Sequence, residues 1–327
     1  MDAKGKSTNS LMRHIRKKHE IDIEGSRQKQ ELLNMGYYHG YKAYRFIDSK
    51  ENIQPYEKFS EIKAVYDFDH ELKALLYPTL MKIETSLKNR TIDLLVQNSY
   101  SDIEFIYNHY LNSYRDYYRN RDQRKYRQKK LEFKAKMTST IVYNYKNSTV
   151  IQHFINKGKP IPLWAYFEVT TLGEYGQFIE CLNKDVRVEL LKRISFYHSG
   201  IDPEGKNLKT IIYLINDLRN AVMHNSVIYD CRFKKSKSNS STNQQISRLT
   251  DINDIDFNNI TDYIILLIIL ESKVYQASKT QLRQRKRKFI ALKEKLHGEI
   301  PSNTYNSIFN TNNNNKLMKL KLYIDNI

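Results

Sequence analysis

Arg219, Asn220 and His224 are the residues of this chain whose types and spacing most directly suggest chemistry. They lie within one hexapeptide at the end of an apolar stretch. A guanidinium holds a phosphate in a planar fork, and an imidazole moves protons near neutral pH. The group therefore fits a reaction at a phosphodiester. The alternative is structural, because cations at the C-terminal end of a helix offset its macrodipole.

On one ideal helix these side chains cannot reach the same phosphate. At about 100° per residue, His224 lies about 140° around the helix from Arg219, whereas Asn220 and His224 share a face. Either the helix unwinds near Asn225, or a second chain supplies the complementary group across a two-fold axis. We expect the homodimer, because displacement at a phosphodiester needs a proton acceptor on one side of phosphorus and a donor on the other. Two copies of His224 provide both.

Three apolar stretches of helical periodicity must position these residues. Asp67 to Gln97 predicts a core helix or a helix pair, and Leu163 to Cys181 predicts two shorter helical pieces. Leu208 to Tyr229 has the clearest apolar stripe and carries the motif. Only ten glycines and six prolines interrupt the 327 residues, so the segments between them are long. The predicted fold class is all-α.

The charge of the chain favours a polyanionic partner. Lys and Arg outnumber Asp and Glu by 54 to 36, which gives a formal charge of +18. RNA, DNA and anionic lipid all satisfy this condition. Where the charge clusters is therefore more informative than its total.

Two basic clusters lie between the apolar stretches. Residues 112–136 contain ten Lys or Arg against three acids, interleaved with tyrosines suited to stacking on unpaired bases. Residues 279–297 contain eight against one acid. We predict that both contact RNA; the alternative for residues 112–136 is a solvated helix whose tyrosines pack inward. The predicted RNA-binding residues are Arg115, Tyr117, Tyr118, Arg119, Arg121, Arg124, Lys125, Arg127, Lys129, Lys130, Arg283, Arg285, Lys286, Arg287 and Lys288.

The cysteines and the apolar runs indicate in which cellular compartment the protein is expected. Cys181 and Cys231 stand far apart without a CxxC pair, so we expect no metal site, no disulfide framework, no cofactor and a cytoplasmic location. Residues 1–10 lack the apolar region of a secretory leader. Tyr263 to Leu270 is too short to span a bilayer, so it predicts a buried helix or a subunit contact. A membrane-surface helix at 279–297 is a weaker alternative because its apolar face is small.

Several short motifs combine into a pattern more specific than the hexapeptide alone. In chain order they are Gly36 with Tyr37, Tyr38 and Tyr41; Asp67, Phe68 and Asp69 followed by Leu72, Leu75, Leu76, Ile83, Glu84 and Arg90; Pro162, Leu163 and Trp164 followed by Glu168, Leu172 and Gly173; and Leu218 to His224. In order and spacing they cover about residues 32–230. With these motifs the chain resembles the abortive-infection proteins of the AbiD/AbiF type within the HEPN superfamily.

This resemblance implies a HEPN-like helical bundle that commonly dimerises, and a metal-independent endoribonuclease in phage defence. Arg219, Asn220 and His224 are then catalytic, and the products are a 2′,3′-cyclic phosphate and a 5′-hydroxyl. Some relatives work with a structured small RNA, so the expected partners are RNA as substrate and a bound non-coding RNA. The alternative function is a non-catalytic RNA-binding protein of a defence system.

Three further residues are expected to support the catalytic group. Glu84 and Glu168 would orient it; alternatively, they pair structurally with Arg90 or Lys88. Relatives often place an arginine sooner after this glutamate, so either Lys88 or Arg90 fills the supporting basic role. Trp164 is expected in the core and not as a stacking platform.

The segments divide the chain into four parts. We predict a basic N-terminal segment at 1–31, a helical core at 32–231 with an insertion at 112–136, a flexible basic loop at 232–250, and a C-terminal helical segment packed on the core at 251–327.

Overall fold

The computed structural model describes residues 5–97, 100–309 and 311–327, and they confirm an all-α fold without a β-strand in these ranges. A π-helical turn at Tyr37–Lys42 follows the second helix, and a 3-10 turn at Ser113–Asp116 precedes the fifth. The α-helices are α1 (Thr8–His19), α2 (Gly25–Met35), α3 (Phe59–Val96), α4 (Ile103–Tyr110), α5 (Asn120–Tyr145), α6 (Thr149–Asn156), α7 (Leu163–Val169), α8 (Leu172–Cys181), α9 (Lys184–Arg193), α10 (Asn207–Met223), α11 (Ser240–Thr250), α12 (Ile260–Val274), α13 (Lys279–Glu299), α14 (Ser302–Ile308) and α15 (Thr311–Asn326).

Helix α3 is the element against which the site is built. It is one helix of 38 residues, about 57 Å long at the usual rise, and Pro78 lies inside it without ending it. The sequence predicted either one helix or a pair from Asp67, so the single helix begins earlier than expected. It packs against α7, α9, α10, α12 and α13, and one hydrophobic core extends from Met12 in α1 to Ile324 in α15.

Helix α12 is buried on all sides, as the apolar run at 263–270 within it predicts. Every residue from Ile260 to Val274 is buried except Lys273. Helices α3, α13 and α15 cover it. Of the two predicted alternatives, a buried helix and a subunit contact, the structure therefore has the buried helix. No helix in the described ranges has the length and apolarity that crossing a membrane requires.

The second half of the predicted loop at 232–250 is helical, contrary to expectation. Asn239 caps α11, because its side-chain oxygen accepts from the Thr242 N–H at 2.7 Å. Asn207, at the start of α10, donates to Gln245 at 2.5 Å and accepts from the Thr242 hydroxyl at 3.1 Å. Polar contacts with α10 therefore hold α11 in place. The sequence analysis did not predict this helix, because it contains few apolar residues.

Candidate functional site

The helix that carries the motif, α10, ends at Met223, just before His224 and Asn225. His224 is the C-cap of α10, and Asn225 has a left-handed backbone with φ of 53°. The Ser226 N–H donates to the Ala221 carbonyl at 2.8 Å, and the Asn225 N–H donates to the Val222 carbonyl at 3.4 Å. These two bonds form a Schellman ending, in which Asn is tolerated at the left-handed position. The local sequence thus fixes His224 at the helix end.

Asp69 on α3 holds the segment that follows this helix end. Its Oδ1 accepts hydrogen bonds from the backbone N–H groups of Ile228 at 2.9 Å and Tyr229 at 2.8 Å. Lys73, one turn later, lies 2.7 Å from Asp69 Oδ2 and donates to the Asn225 side chain at 2.9 Å. Both charged side chains are buried. The Asp69–Lys73 pair, which we call the Asp69 anchor, therefore fixes the chain just after His224 against α3.

A cleft of about 250 Å³ lies between α3, α7 and α10 and gathers several predicted site residues. Its charged lining consists of Glu84, Lys88, Glu168 and Arg219, and Trp164 contributes to its wall. Three helices that are distant in sequence thus meet at one small polar cavity. The geometry brings the predicted arginine together with both predicted glutamates.

Glu84 and Arg219 form an ion pair in this cleft with unused hydrogen-bonding capacity. Arg219 Nε lies 3.5 Å from Glu84 Oε2, and the side chains are 26% and 12% exposed. Both atoms are buried, yet neither makes a hydrogen bond within the described residues. Buried polar atoms without such a partner are rare in proteins. Arg219 itself lines the cleft and its side chain is 26% exposed, so the rest of the guanidinium is open to a polar ligand.

Lys88 is the basic residue that supports Glu84. Its Nζ lies 2.9 Å from Glu84 Oε1 and donates to the carbonyls of Phe167 at 3.3 Å and Thr170 at 2.6 Å. These carbonyls are at the C-terminal end of α7, where helical donors are missing. Lys88 therefore ties the end of α7 to the carboxylate that faces Arg219.

Arg90 lies outside the cleft, contrary to its predicted supporting role. Its Nε donates to the Val274 carbonyl at 2.6 Å, at the end of α12. Side chains two residues apart on a helix lie on nearly opposite faces, about 160° apart around its axis. Lys88 and Arg90 therefore cannot serve the same site. Of the two predicted candidates, the structure places Lys88 beside Glu84 and gives Arg90 a structural contact.

Arg219 and His224 do not share the cleft within one chain. His224 is exposed and does not line the cleft. Asn220 accepts a hydrogen bond from Arg219 at 3.3 Å and donates to Asn216 at 3.4 Å, so its side chain contacts the arginine and not the histidine. The helix does end near Asn225, as one predicted arrangement required, but this ending does not bring the imidazole to the guanidinium.

Trp164 and Glu168 occupy the rim of the cleft. Trp164 is 46% exposed, so the prediction that it lies in the core is wrong. Its ring contacts Phe154 edge to face at 5.9 Å between centroids. Glu168 is exposed, and within the described residues it makes no hydrogen bond or ion pair. The structure therefore does not pair it with Arg219, His224, Arg90 or Lys88.

The first half of α5 and the turn before it present a basic surface, which we call the basic arm. Tyr118 is 99% exposed. Arg127 covers the Tyr114 ring at 4.8 Å, which pre-orders one guanidinium on an aromatic face. A surface of this kind suits a flexible polyanion. The exposed cations of the basic arm are Arg115, Arg119, Arg121, Arg124, Lys125 and Arg127.

Three predicted contacts of the basic arm are used within the chain instead. Lys129 forms an ion pair with Glu180. Lys130 donates to a side-chain amide at 2.6 Å, and burial lowers its pKa. Tyr117 stacks on Tyr126 at 4.1 Å between ring centroids. The alternative of inward-packing tyrosines therefore holds for this pair, and none of the three predicted residues is free to contact RNA as expected.

Arg285 in α13 is also a structural residue, contrary to its predicted contact with RNA. It lies 2.8 Å from the Glu271 carboxylate of α12 and donates to the Leu75 carbonyl of α3 at 2.8 Å. Its side chain is 18% exposed. The guanidinium therefore joins three helices and does not face a partner.

The rest of the second basic cluster is partly exposed. Arg283 pairs with Asp325 of α15 at 2.7 Å, and burial lowers the pKa of Lys286. Arg287 and Lys288 are exposed. This surface offers fewer available cations than the sequence predicts.

Neither a metal cluster nor a reactive thiol is present in the described ranges. No group of three or more His, Cys, Asp or Glu side chains there is arranged to hold a metal ion. Cys181 and Cys231 are free and buried. Burial raises the pKa of Cys181 to about 12 and that of Cys231 well above its usual value, so both thiols are poor nucleophiles.

The segment that carries the cleft matches a known protein family. A family model described as Abi-like protein matches residues 30–230. This range contains α3, α7, α10 and the Asp69 anchor. No curated protein and no solved structure matches the chain. The family match covers well over half of the sequence, and the chain therefore belongs to the Abi-like protein family, which indicates a role in abortive infection.

Proposed function

We propose that this protein is a metal-independent endoribonuclease of the HEPN type that acts in the cytoplasm during abortive infection. The observation that carries the proposal is the Arg219 guanidinium, which lines the cleft, is paired there with Glu84 and remains 26% exposed. His224 is the C-cap residue of the same helix, and its side chain is exposed. A fixed cation and an accessible imidazole are the groups that RNA cleavage by its own 2′-hydroxyl needs.

In the proposed reaction, two chains form a homodimer around one scissile phosphate. His224 of one subunit accepts the 2′-hydroxyl proton, and the 2′-oxygen forms a bond to phosphorus. His224 of the second subunit protonates the departing 5′-oxygen as its bond to phosphorus breaks. Arg219 stabilises the charge on the non-bridging oxygens. The products are a 2′,3′-cyclic phosphate and a 5′-hydroxyl.

The dimer is supported by the geometry of one chain. The histidine lies outside the cleft that contains the arginine, and the Asp69–Lys73 pair holds the following segment in place. Rearranging the helix end to bring the two together would therefore break several buried contacts. A second chain can supply the missing group without that cost.

The basic arm is the proposed RNA-binding surface. Its six exposed cations provide a charge-dependent attraction to the phosphate backbone, and Tyr118 provides an exposed ring for stacking on an unpaired base. The same surface suits a structured non-coding RNA as well as a substrate. RNA recruitment and RNA cleavage are thus assigned to separate residues.

The test compares RNA cleavage in EDTA by the wild-type protein with that by Arg219→Ala and His224→Ala. Each substitution is expected to reduce the rate about 10²-fold or more, because each removes one group that acts in the transition state. Arg27→Ala and His153→Ala are matched controls, since both replace exposed residues outside the cleft. RNA affinity is expected to stay unchanged in all four variants, and wild-type fragments should carry 5′-hydroxyl ends.

The alternative function, a non-catalytic RNA-binding protein, predicts the opposite result. Motif variants would then behave as wild type. Charge reversals at Arg119, Arg121, Arg124 and Arg127 would remove the defence activity by weakening RNA binding. The observation that supports this alternative is that these four arginines are exposed and can contact RNA.

A further inference from the structure

The wall of the cleft formed by α7 carries two side chains that the catalytic proposal does not use. Trp164 is 46% exposed, although large aromatic side chains are usually well buried. Glu168 lies one helical turn later on the same face and lines the same cleft. It has no hydrogen bond or ion pair with any residue that the structure describes, whereas Glu84 is paired with both Lys88 and Arg219.

The two side chains have complementary chemistry for one nucleobase. An exposed indole is a stacking surface for any base. A carboxylate has two acceptor oxygens and no donor, so it pairs best with an edge that carries two adjacent N–H donors. The Watson–Crick edge of guanine has this arrangement in its N1–H and its amino group. Adenine, cytosine and uracil each place an acceptor beside their donor on that edge.

The size of the cleft fits a single base. Its volume is about 250 Å³, below the range of roughly 300–1,000 Å³ typical of pockets for drug-sized ligands. Met81 and Ile92 add apolar surface to the lining, which suits the faces of a planar ring. A base that enters the cleft also comes close to Arg219, which lines the same cavity.

We propose that Trp164 and Glu168 form a guanine-recognition subsite. The guanine stacks on the indole and donates N1–H and one amino N–H to the Glu168 carboxylate. The consequence for cleavage rests on the proposed endoribonuclease function: Arg219 holds a phosphate attached to the recognised nucleotide, so RNA is cut beside a guanosine. Recognition of the base itself does not require catalysis.

The site contains its own probe, because Trp164 is the only tryptophan of the chain. Its fluorescence is titrated with 2′-O-methyl trinucleotides that differ only in the central base and cannot be cleaved, since the 2′-oxygen is blocked. We expect the guanine trinucleotide to quench at concentrations about tenfold lower than the adenine, cytosine and uracil trinucleotides, as a bidentate contact provides that discrimination. Equal quenching by all four would overturn the proposal.

Substitution of the carboxylate separates recognition from folding. Glu168→Gln replaces one acceptor with a donor and is expected to remove the guanine preference. Because Glu168 is exposed and unpaired, the variant should keep the circular dichroism spectrum and unfolding midpoint of the wild type. Glu299→Gln, an exposed glutamate at the end of α13, is the matched control and should keep the preference. A preference that survives in Glu168→Gln would contradict the assigned role.

Cleavage-site mapping distinguishes this inference from the proposed function. Wild-type cuts are expected beside guanosines. Glu168→Gln should lose that preference and still depend on Arg219 and His224. If cleavage depends on those two residues but shows no base preference, the inference is wrong and the endoribonuclease stands. If guanine quenches selectively but no RNA is cut, the subsite stands and the proposed function is wrong.

Discussion

Arg219 Nε lies 3.5 Å from Glu84 Oε2, close enough for an ion pair but longer than a good hydrogen bond. Lys88 holds the other carboxylate oxygen of Glu84 at 2.9 Å. The glutamate therefore sits between two cations, and the Arg219 side chain is the more exposed of the two. The guanidinium is positioned in the cleft without being fully satisfied by the protein.

This relationship predicts that Glu84→Gln impairs catalysis. It should also lower the free energy of unfolding, because buried Lys88 loses its carboxylate partner. The neutral amide no longer attracts Arg219, and a misplacement of about 1 Å at a catalytic group costs about 10²-fold in rate. We expect RNA cleavage to fall about 10- to 100-fold with RNA affinity retained. Glu71→Gln is the control on the same helix, because Glu71 pairs with Lys295 at the surface. Full activity of Glu84→Gln would show that this ion pair does not position the guanidinium.

The Asp69 anchor predicts a large loss of stability on substitution. Asp69 accepts from the Tyr44 hydroxyl at 2.7 Å in addition to its backbone contacts, and it pairs with buried Lys73. Asp69→Asn leaves the Lys73 cation buried and unpaired, which costs about 3 kcal/mol or more in the free energy of unfolding. Urea denaturation measures this loss in the free energy of unfolding. Asp67→Asn, which removes the partly exposed pair with Lys63, should cost less than about 1 kcal/mol; equal costs would argue against the anchor.

The two kinds of arginine in the basic clusters predict opposite effects. Arg121→Ala with Arg124→Ala removes exposed cations of the basic arm, so RNA affinity and its salt dependence should both decrease, by about one unit of slope per lost contact. Arg285→Ala removes the partner of buried Glu271, so it should lower the unfolding midpoint and leave the salt slope unchanged. Binding titrations at several salt concentrations separate them. A salt slope lowered by Arg285→Ala alone would reverse the assignment.

His19 predicts a pH-dependent stability. Burial, followed by repulsion from Arg45, lowers its pKa to about 4, and its ring accepts or donates at 2.8 Å from the Tyr41 hydroxyl. Because the folded pKa is below the unfolded value of about 6.5, the unfolded chain binds more protons, and stability present above pH 6.5 is lost as the pH falls toward 4. With screening of this partly exposed ring, we expect about 1 kcal/mol.

The measurement is the free energy of unfolding at pH 7 and pH 5. The wild type should lose about 1 kcal/mol more than His19→Gln between these values. His153→Gln, at an exposed histidine of α6, is the control and should follow the wild type. An identical loss in His19→Gln would show that this ring does not control the acid dependence.

The sequence predicted the features that depend on local patterns. The apolar stripe within Leu208 to Tyr229 predicted a helix, which the structure confirms as α10. Its end near Asn225 was only one of two alternatives. The uniformly apolar run at 263–270 predicted a buried helix or a subunit contact, and the structure has the buried helix. These properties follow from neighbouring residues, so they can be read without knowing the fold.

Features that depend on contacts between distant segments were not predictable in this way. Arg285 is paired with buried Glu271, and Trp164 is exposed at a cleft; composition gave the opposite expectation for both. Spacing did contain one unused signal, because Asp69–Lys73 and Glu84–Lys88 each place opposite charges four residues apart on one helix. Which of those pairs is buried is decided by the helices that cover them.

The most direct test of the central claim mixes wild-type subunits with His224→Ala subunits and measures RNA cleavage at constant total protein. If one phosphate needs an imidazole from each of two chains, only wild-type pairs are active, and equal mixing should leave about a quarter of the wild-type rate. Mixing with His153→Ala subunits should leave the rate unchanged. A rate of about a half would mean that each chain works alone, and it would contradict the shared site proposed for Arg219 and His224.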